Sequence, residues 1–598
     1  MNIVSKNYRL EIDGLRAIAV IAVIVNHFSN DILPSGYLGV DIFFVISGYV
    51  ITSSIYLRQS NNFLEFISNF YSKRIRRLIP ALILYVLVLS VVICMLRPIV
   101  KGVLVNAIAS LLGISNVALY FSSKDYFAIS NLINPFMHTW SLGVEEQFYF
   151  LFPLFTWVTG YAKKISGSIK SLGFIISILS LASLIAFIYY YPINQSAAYF
   201  LMPMRFWEIG AGCLLFILYQ NEKSFYGSLK NIPASIFLFL IFIVLFLPTS
   251  YAVLSNIAIV LLTSFLIFCI KDTSLLYKFL TNNKIVYLGL ISYSLYLWHW
   301  GILSISYLTI GGIFAWSLPI QLILVFYIAH LSYKYVETPF RNIVNVQKIK
   351  TIFIGISSLF ISCLSIFLII IPHGEKFFTG KFKQEDFISV IENKPEEFLD
   401  LNNKREDFSS KVIFYFGDSH IFNTLPSLYK VHKKFDFDRI FIRDSSDIRD
   451  VLPKDLLIFT SRSYKNDPET KEAIIRDLSN YVIKNNSKLI LLDDLTPFGD
   501  RPVIDFYSKV NFHRDGPVIS KVKAEKLRQN HTKMLKKYVD NKNIYYLDPL
   551  NDYCLENYCS AVRNSKLIFS DPSPHINKNG LNIFEDFWKN NLPNILNN

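Results

Sequence analysis

The chain is 598 residues long, 52% hydrophobic and only 17% charged, with a mean hydropathy of +0.37. This balance excludes an ordinary soluble protein and implies an integral membrane protein of several domains. The net charge of +14 would suit a nucleic-acid binder, but most of the excess falls in short loops beside apolar segments, where lysine and arginine set orientation, so no nucleic-acid partner is expected.

Apolar runs crowd into residues 11–371, and residues 372–598 carry mixed charge with many Asn and Lys. Spans are expected at about 11–29, 38–57, 79–96, 141–160, 172–191, 204–220, 232–248, 252–270, 285–305, 314–335 and 351–371, each near the length a bilayer requires. The first carries Arg16 and His27 and shows no clear small-residue cleavage site, so it is read as a retained anchor. With Lys6 and Arg9 cytoplasmic, the basic groups at 58–77, 163–170, 271–284 and 334–350 all fall on the same side. That orientation sends the residues after the last span to the outer side of the membrane. The apolar segment 103–120 would reverse this parity if it crossed; it is read as re-entrant or interfacial. The expected domains are therefore a membrane domain at 1–345, a linking span at 346–372, an outer extension at 373–410 and a soluble domain at 411–598.

Ionisable groups inside spans are costly and usually face a polar path. Arg16 and His27 are eleven residues apart, which returns to nearly the same helix face about 16 Å along it, so both are expected to line one cavity. A histidine satisfied by a neighbouring helix would look the same in sequence. Trp140 and Glu145 open a later span; Glu145 is a candidate partner for a cation or a proton, or a helix-end salt bridge. Trp140 and Arg205 are candidate cavity residues as well, although Arg205 and Glu208 sit three apart and can simply neutralise each other. His299, between Trp298 and Trp300, is either a cavity residue or part of an interfacial aromatic belt. Lys73, Arg74, Arg76 and Arg77 cluster at the cytoplasmic mouth, where they can grip phosphates or simply anchor the chain. Cys94, Cys213, Cys269 and Cys363 lie in apolar segments and read as small hydrophobes. Cys554 and Cys559 flank a short polar loop and are a disulfide candidate in an oxidising compartment.

The soluble part alternates expected strands at 411–416, 455–459, 488–492 and 544–547 with helical stretches at 469–484 and 522–538, an α/β doubly wound pattern. The first strand runs into Gly417-Asp418-Ser419-His420, a strand-to-helix turn that can present a serine hydroxyl beside backbone N–H groups. Asp571 and His575 follow about 150 residues later, in the chain order of a nucleophile and its base. Thr460-Ser461-Arg462-Ser463 follows the next strand, and Ser461 or Arg462 is a candidate oxyanion donor.

The segments DGLRAIAV, FFVISGYVI, FYSKRIRRLIP, HTWSLGVEEQFYFLFP, RFWEIGAG and SYSLYLWHW resemble, in order, the acyltransferase-3 family of membrane acyltransferases over most of residues 8–341. The resemblance implies a cytoplasmic acyl-CoA donor, most readily acetyl-CoA, with Arg16 and His27 central to acyl handling and Lys73, Arg74 and Arg77 on the donor. Where the family often shows two arginines separated by three residues, this chain has Lys73 and Arg77 at that separation, with Arg74 and Arg76 between them. The block from Asp571 to Gly580 resembles the Asp and His block of SGNH-type esterases and acyltransferases. Its Asp571 stands four residues before His575 rather than three, and the family's later glycine and asparagine donors are not evident. Together the resemblances imply a polytopic helical membrane domain fused to an SGNH-like α/β domain. Its expected activity is O-acetylation of a lipid-linked or nascent surface glycan such as a lipopolysaccharide O-antigen, through Ser419, at the bacterial inner membrane with the C-terminal domain periplasmic. The membrane bilayer is its other partner, and no metal is expected. Peptidoglycan O-acetylation, a carbohydrate acetyl esterase and a glycan transporter with a binding domain are the alternatives.

Overall fold

A computed structural model describes residues 8–57, 60, 62–96, 101–122, 132–220, 232–310, 312–343, 347–370, 409–417, 421–443, 451–460, 468–494, 518–554, 557–563, 566–567 and 579–597. The chain divides into one compact unit of residues 1–94 and 100–377 and a second of 95–99 and 378–598.

The first unit is helical. Helix α1 (Leu10–Phe28) is followed by α2 (Gly39–Tyr56) and α3 (Phe63–Leu96). Helix α3 has 34 residues, about 51 Å at 1.5 Å per residue, longer than the roughly 30 Å hydrocarbon layer. The basic stretch at 73–77, expected in a loop, therefore lies inside this helix, which begins well before the apolar run. Residues 103–120 fall in two helices, α4 (Lys101–Leu111) and α5 (Ser115–Ser122). They are separated at Gly113, whose φ is +69°, and each is shorter than a bilayer crossing needs. Then follow α6 (Trp140–Val158), α7 (Ser168–Tyr190), α8 (Met202–Gln220), α9 (Ala234–Phe246), α10 (Ala252–Cys269), α11 (Asn283–Leu290), α12 (Ser292–Ile310), α13 (Leu318–Ser332) and α14 (Lys348–Ser365).

Among the described residues, six helices are long and apolar enough to cross a membrane, or seven if α11 and α12, bent by 64°, form one span. Eleven were expected. The difference has local causes. Helix α9 has 13 residues and runs into Leu247-Pro248, where proline disfavours helix for the residue before it. Helix α13 has 15. Helix α1 carries Glu11, Asp13 and Arg16, and α6 carries Glu145 and Glu146, charges that lower the hydropathy of both.

Helices α2 and α8 cross at small residues. A Cβ on Gly48 would stand 1.9 Å from the Ile209 carbonyl oxygen, and one on Gly212 would stand 2.0 Å from that of Val45. Such close backbone approach is how helices pack tightly where no hydrophobic drive separates them from lipid.

The second unit is an α/β layer structure. Strands β1 (Val412–Gly417), β2 (Arg439–Arg443), β3 (Leu456–Thr460), β4 (Lys488–Leu492) and β6 (Ile544–Leu547) form a parallel sheet in the order β2-β1-β3-β4-β6. A short antiparallel pair, β5 (Val518–Ser520) with β7 (Tyr558–Ser560), stands apart. Of these, β2, β5 and β7 were not anticipated from sequence. The central strands are apolar on both faces because helices cover both. Ile413 and Tyr415 of β1 pack with Leu425, Phe587 and Trp588, from α15 (Ile421–Val431) and α18 (Leu581–Asn597). Phe414 and Phe416 pack on the other side with Ile475, Leu478 and Leu535, from α16 (Pro468–Asn485) and α17 (Lys521–Lys536). Cys554 and Cys559 form a disulfide. The expected extension at 373–410 lies, apart from residues 409–410, outside the described residues.

Candidate active site

A cavity of about 490 Å³ opens between α1, α2, α3, α6 and α12. Arg16, Lys73, Arg74, Arg77 and Glu145 all line it. Helical periodicity explains the basic wall, because positions 73, 74 and 77 fall within about 100° of arc. Arg76 is turned away and donates to the Ile343 carbonyl and, at 3.0 Å, to the Thr351 hydroxyl. Its side chain is held by the helix ends that follow α13. The charged groups in the cavity wall are Arg9, Arg16, Lys73, Arg74, Arg77, Asp13 and Glu145, so cations outnumber carboxylates and the cavity favours a polyanion.

Several of these cations are held by specific partners. The Arg74 guanidinium stands 3.4 Å from the Tyr149 ring centroid. The Tyr149 hydroxyl donates to Glu145 at 3.0 Å and also meets the Ser47 hydroxyl. Arg16 lies 3.6 Å from Asp13, which accepts from Tyr8 at 2.5 Å. Arg9 is paired with Glu11 at 2.5 Å and donates to Tyr49. The structure thus brings Arg16, Lys73, Arg74, Arg77 and Glu145 to one wall and adds Tyr149 and Ser47 to them.

His27 is not in this wall, contrary to expectation. The eleven-residue spacing keeps it on nearly the face of Arg16, but the cavity ends along α1 at Arg16, and the last turn of α1 packs instead against α12. There the His27 Nδ1 lies 3.0 Å from His299 Nε2. The two rings are parallel with centroids 5.2 Å apart, and Trp300 meets His27 edge-on at 4.7 Å. His27 is half-buried, whereas His299 is fully buried and so belongs to no interfacial belt. A third ring, His138, is also fully buried and stands 5.5 Å from His299. His138 was missed, although it lies two residues before Trp140 within the same polar stretch. An ionisable residue just before the helix that Trp140 opens was the available signal.

Tyr296 joins the two regions. It lines the cavity, while its ring lies 5.5 Å from His299 and 5.2 Å from His138. Its hydroxyl bonds the Ser141 hydroxyl at 2.7 Å and the His138 carbonyl at 2.9 Å.

Trp140 and Arg205, expected in the cavity, instead form a separate buried cluster. Arg205 lies 2.9 Å from Glu208 and 3.3 Å from Asp41, and Asn256 donates to Asp41 at 3.2 Å. The rings of Phe44, Trp140, Phe187 and Tyr199 stand 5.6–5.9 Å from the guanidinium carbon. One cation with two carboxylates, all essentially without exposure, links α8 to α2, and Asn256 brings in α10. The i, i+3 pair was legible in sequence; Asp41, from a helix 164 positions away, was not.

Ser419, Asp571 and His575 lie outside the described residues, as do Ser461 and Arg462. The strand that precedes the serine is described. It ends at Gly417, which pairs with Thr460 at the carboxyl end of β3. Strand order reverses here: β2 lies on one side of β1 and β3 on the other. Ligands of open α/β sheets bind outside the carboxyl ends of strands at such a switch point. Farther along the same edge, the buried Asp493 that follows β4 accepts from His531 at 2.9 Å, Thr532 at 2.6 Å and Tyr546 at 2.6 Å. Burial pushes the Asp493 carboxyl up, but the His531 hydrogen bond and the Arg528 charge outweigh it and hold the pKa below the ordinary value. Arg528 in turn reaches Asp548 at 2.6 Å and the Asp494 carbonyl at 3.1 Å. This network ties α17 to the sheet edge and was not read from sequence.

Among known proteins, the family described as an acyltransferase domain matches residues 9–334. The chain is 34% identical over 365 residues to the O-acetyltransferase OatA of Staphylococcus aureus, in strains NCTC 8325 / PS 47 and COL alike, covering 56% of this chain and 58% of that one. It thus spans less than two thirds of the length of these curated relatives. No solved structure matches.

Proposed function

The chain belongs to the acyltransferase-3 family, and on that premise we propose that it O-acetylates a surface glycan, drawing the acetyl group from cytoplasmic acetyl-CoA. The observation that carries this reading is the cation-rich cavity that meets, through Tyr296, the histidine cluster around His27. Arginine forks match phosphate oxygens bidentately and lysine supplies a compact charge. Arg16, Lys73, Arg74 and Arg77 are the donor's phosphate clamp, and Glu145 with Tyr149 holds Arg74 in place.

The acetyl end of the donor points toward Tyr296 and His27, which handles the acyl group. Ser419, with His575 as base, receives it outside and passes it to a sugar hydroxyl of an O-antigen-like polysaccharide. Asp571 orients His575. The second unit is an SGNH-like domain in this reading, supported by its parallel sheet and by the position of Gly417 at the switch point. The chain sits in a bacterial inner membrane with its N-terminus cytoplasmic and this domain periplasmic. The relatives named O-acetyltransferases support acetyl as the group and oxygen as the acceptor.

The test is ester-linked acetate, measured separately on surface polysaccharide and peptidoglycan, in cells lacking the native gene. Wild type, His27→Ala and Ser419→Ala are expressed at equal membrane levels. Loss of acetate in both variants supports the relay through two sites. Loss in His27→Ala alone makes the outer serine dispensable, and acetate confined to peptidoglycan reassigns the acceptor. Wild type that adds none, or that lowers existing acetate, overturns the transferase reading in favour of an esterase or a transporter.

A further inference from the structure

We propose that His299 is a positioning residue that fixes the neutral ring of His27 as its Nδ1–H tautomer, putting the reactive lone pair on Nε2. The tautomer follows from partners that can play only one role. The Nδ1 of His299 lies 3.1 Å from the carbonyl oxygen of Leu295, one helical turn earlier. A carbonyl oxygen only accepts, so that nitrogen carries the proton. His299 is fully buried among His138, Tyr296 and Trp300. Among the described residues no carboxylate touches it, and a site without a counter-charge holds an imidazole neutral. A neutral ring protonated at Nδ1 has an unprotonated Nε2, which can only accept. Its partner at 3.0 Å is His27 Nδ1, and that nitrogen must therefore be the donor.

One backbone carbonyl on α12 thereby sets the tautomer of a histidine on α1, 272 positions away. The parallel ring planes, within 1°, and the Trp300 edge against His27 restrict rotation of the imidazole about this bond. The link is the general one in which the hydrogen bond of one ring nitrogen decides the state of the other. Its functional weight rests on the proposed role of His27. Whether His27 takes the proton of an acceptor hydroxyl or attacks the thioester carbon, with the carbon–sulfur bond breaking and coenzyme A leaving as its thiolate, the atom that does so is Nε2. In either case the Nδ1–H bond to His299 steadies the cationic ring.

The test has a readout that does not depend on activity. Full-length protein labelled with 15N-histidine in lipid vesicles is studied by solid-state NMR, with His27 assigned from the signals lost in His27→Ala. Wild type is expected to show His27 protonated at Nδ1. His299→Phe should move its main population to the Nε2–H form, and His299→Gln, whose amide oxygen accepts, should restore Nδ1–H. In acetyl transfer, His299→Phe is expected to lose about 100-fold in kcat, the scale of a positioned proton-transfer group. Its KM for acetyl-CoA should stay within about twofold, and His299→Gln should recover to within about tenfold of wild type. His27 protonated at Nε2 in wild type overturns the proposal, as does a His299→Phe spectrum with the tautomer unchanged. A His299-dependent Nδ1–H tautomer in a protein that moves no acetyl group supports the positioning and overturns the donor reading alone.

Discussion

Arg76 and Arg77 are adjacent in sequence and opposite in fate, which makes them a sharp test of the cavity as a donor site. Arg77 lines the cavity with Arg16, Lys73 and Arg74, whereas Arg76 reaches away to Ile343 and Thr351. A hydrogen bond to a charged group contributes about 1.5–3 kcal/mol, so Arg77→Ala should weaken acetyl-CoA about 10- to 150-fold. The lower end is the better expectation. The other cations of the wall remain in place. Arg77→Lys keeps the charge without the fork and should fall between. Arg76→Ala should leave donor affinity within about twofold, its cost appearing in stability instead. Binding is measured by calorimetry on the full chain in nanodiscs at two salt concentrations, since screening should shrink the Arg77 effect at high salt. Equal losses in Arg76→Ala and Arg77→Ala, or no loss in either, would refute the assignment of the cavity wall.

Three further outcomes follow from the packing. Arg205→Met leaves Asp41 and Glu208 buried without their cation and should cost about 3–5 kcal/mol. It should be visible as early melting in detergent, and adding Asp41→Asn with Glu208→Gln should recover much of it; a single variant that melts with wild type argues against the cluster. Gly48→Ala, whose Cβ would stand 1.9 Å from a backbone oxygen, should cost about 1–3 kcal/mol, while Gly102→Ala, with nothing within 4 Å, serves as a neutral control in the same melt. Asp493 has a folded-state pKa held below its ordinary value of 3.8, so its contribution is present above that value and lost as pH falls through the folded one. Hydrogen exchange of α17 and β4 in the full chain should stay slow down to about pH 4 and quicken below it, and Asp493→Asn should be less stable at neutral pH with a flatter acid limb. An unchanged acid limb in that variant would remove Asp493 from the account.

The sequence by itself determined the two-part build, because bulk hydropathy and charge are additive along the chain and survive any folding. It also singled out charged residues of the first unit that share one cavity wall. Arg16, Lys73, Arg74, Arg77 and Glu145 all line one cavity, since helical period and buried charge are local signals. The strands of the second unit were legible as short apolar runs, but not the order β2-β1-β3-β4-β6, which depends on crossovers. Ser419, Asp571 and His575 rest on the sequence alone.

Tertiary structure decided which ionisable groups meet. His27 and Arg16 share a helix face yet serve different surroundings, because α1 meets the cavity with its early turns and α12 with its last. His299 finds His27 across 272 positions, and Arg205 finds Asp41 across 164. Burying a polar group is tolerable only with a partner, and that rule says a partner must exist without saying where it lies in the chain. The identity of the partner is fixed only when helices far apart in sequence come within 3–4 Å, which is a property of packing and not of pattern.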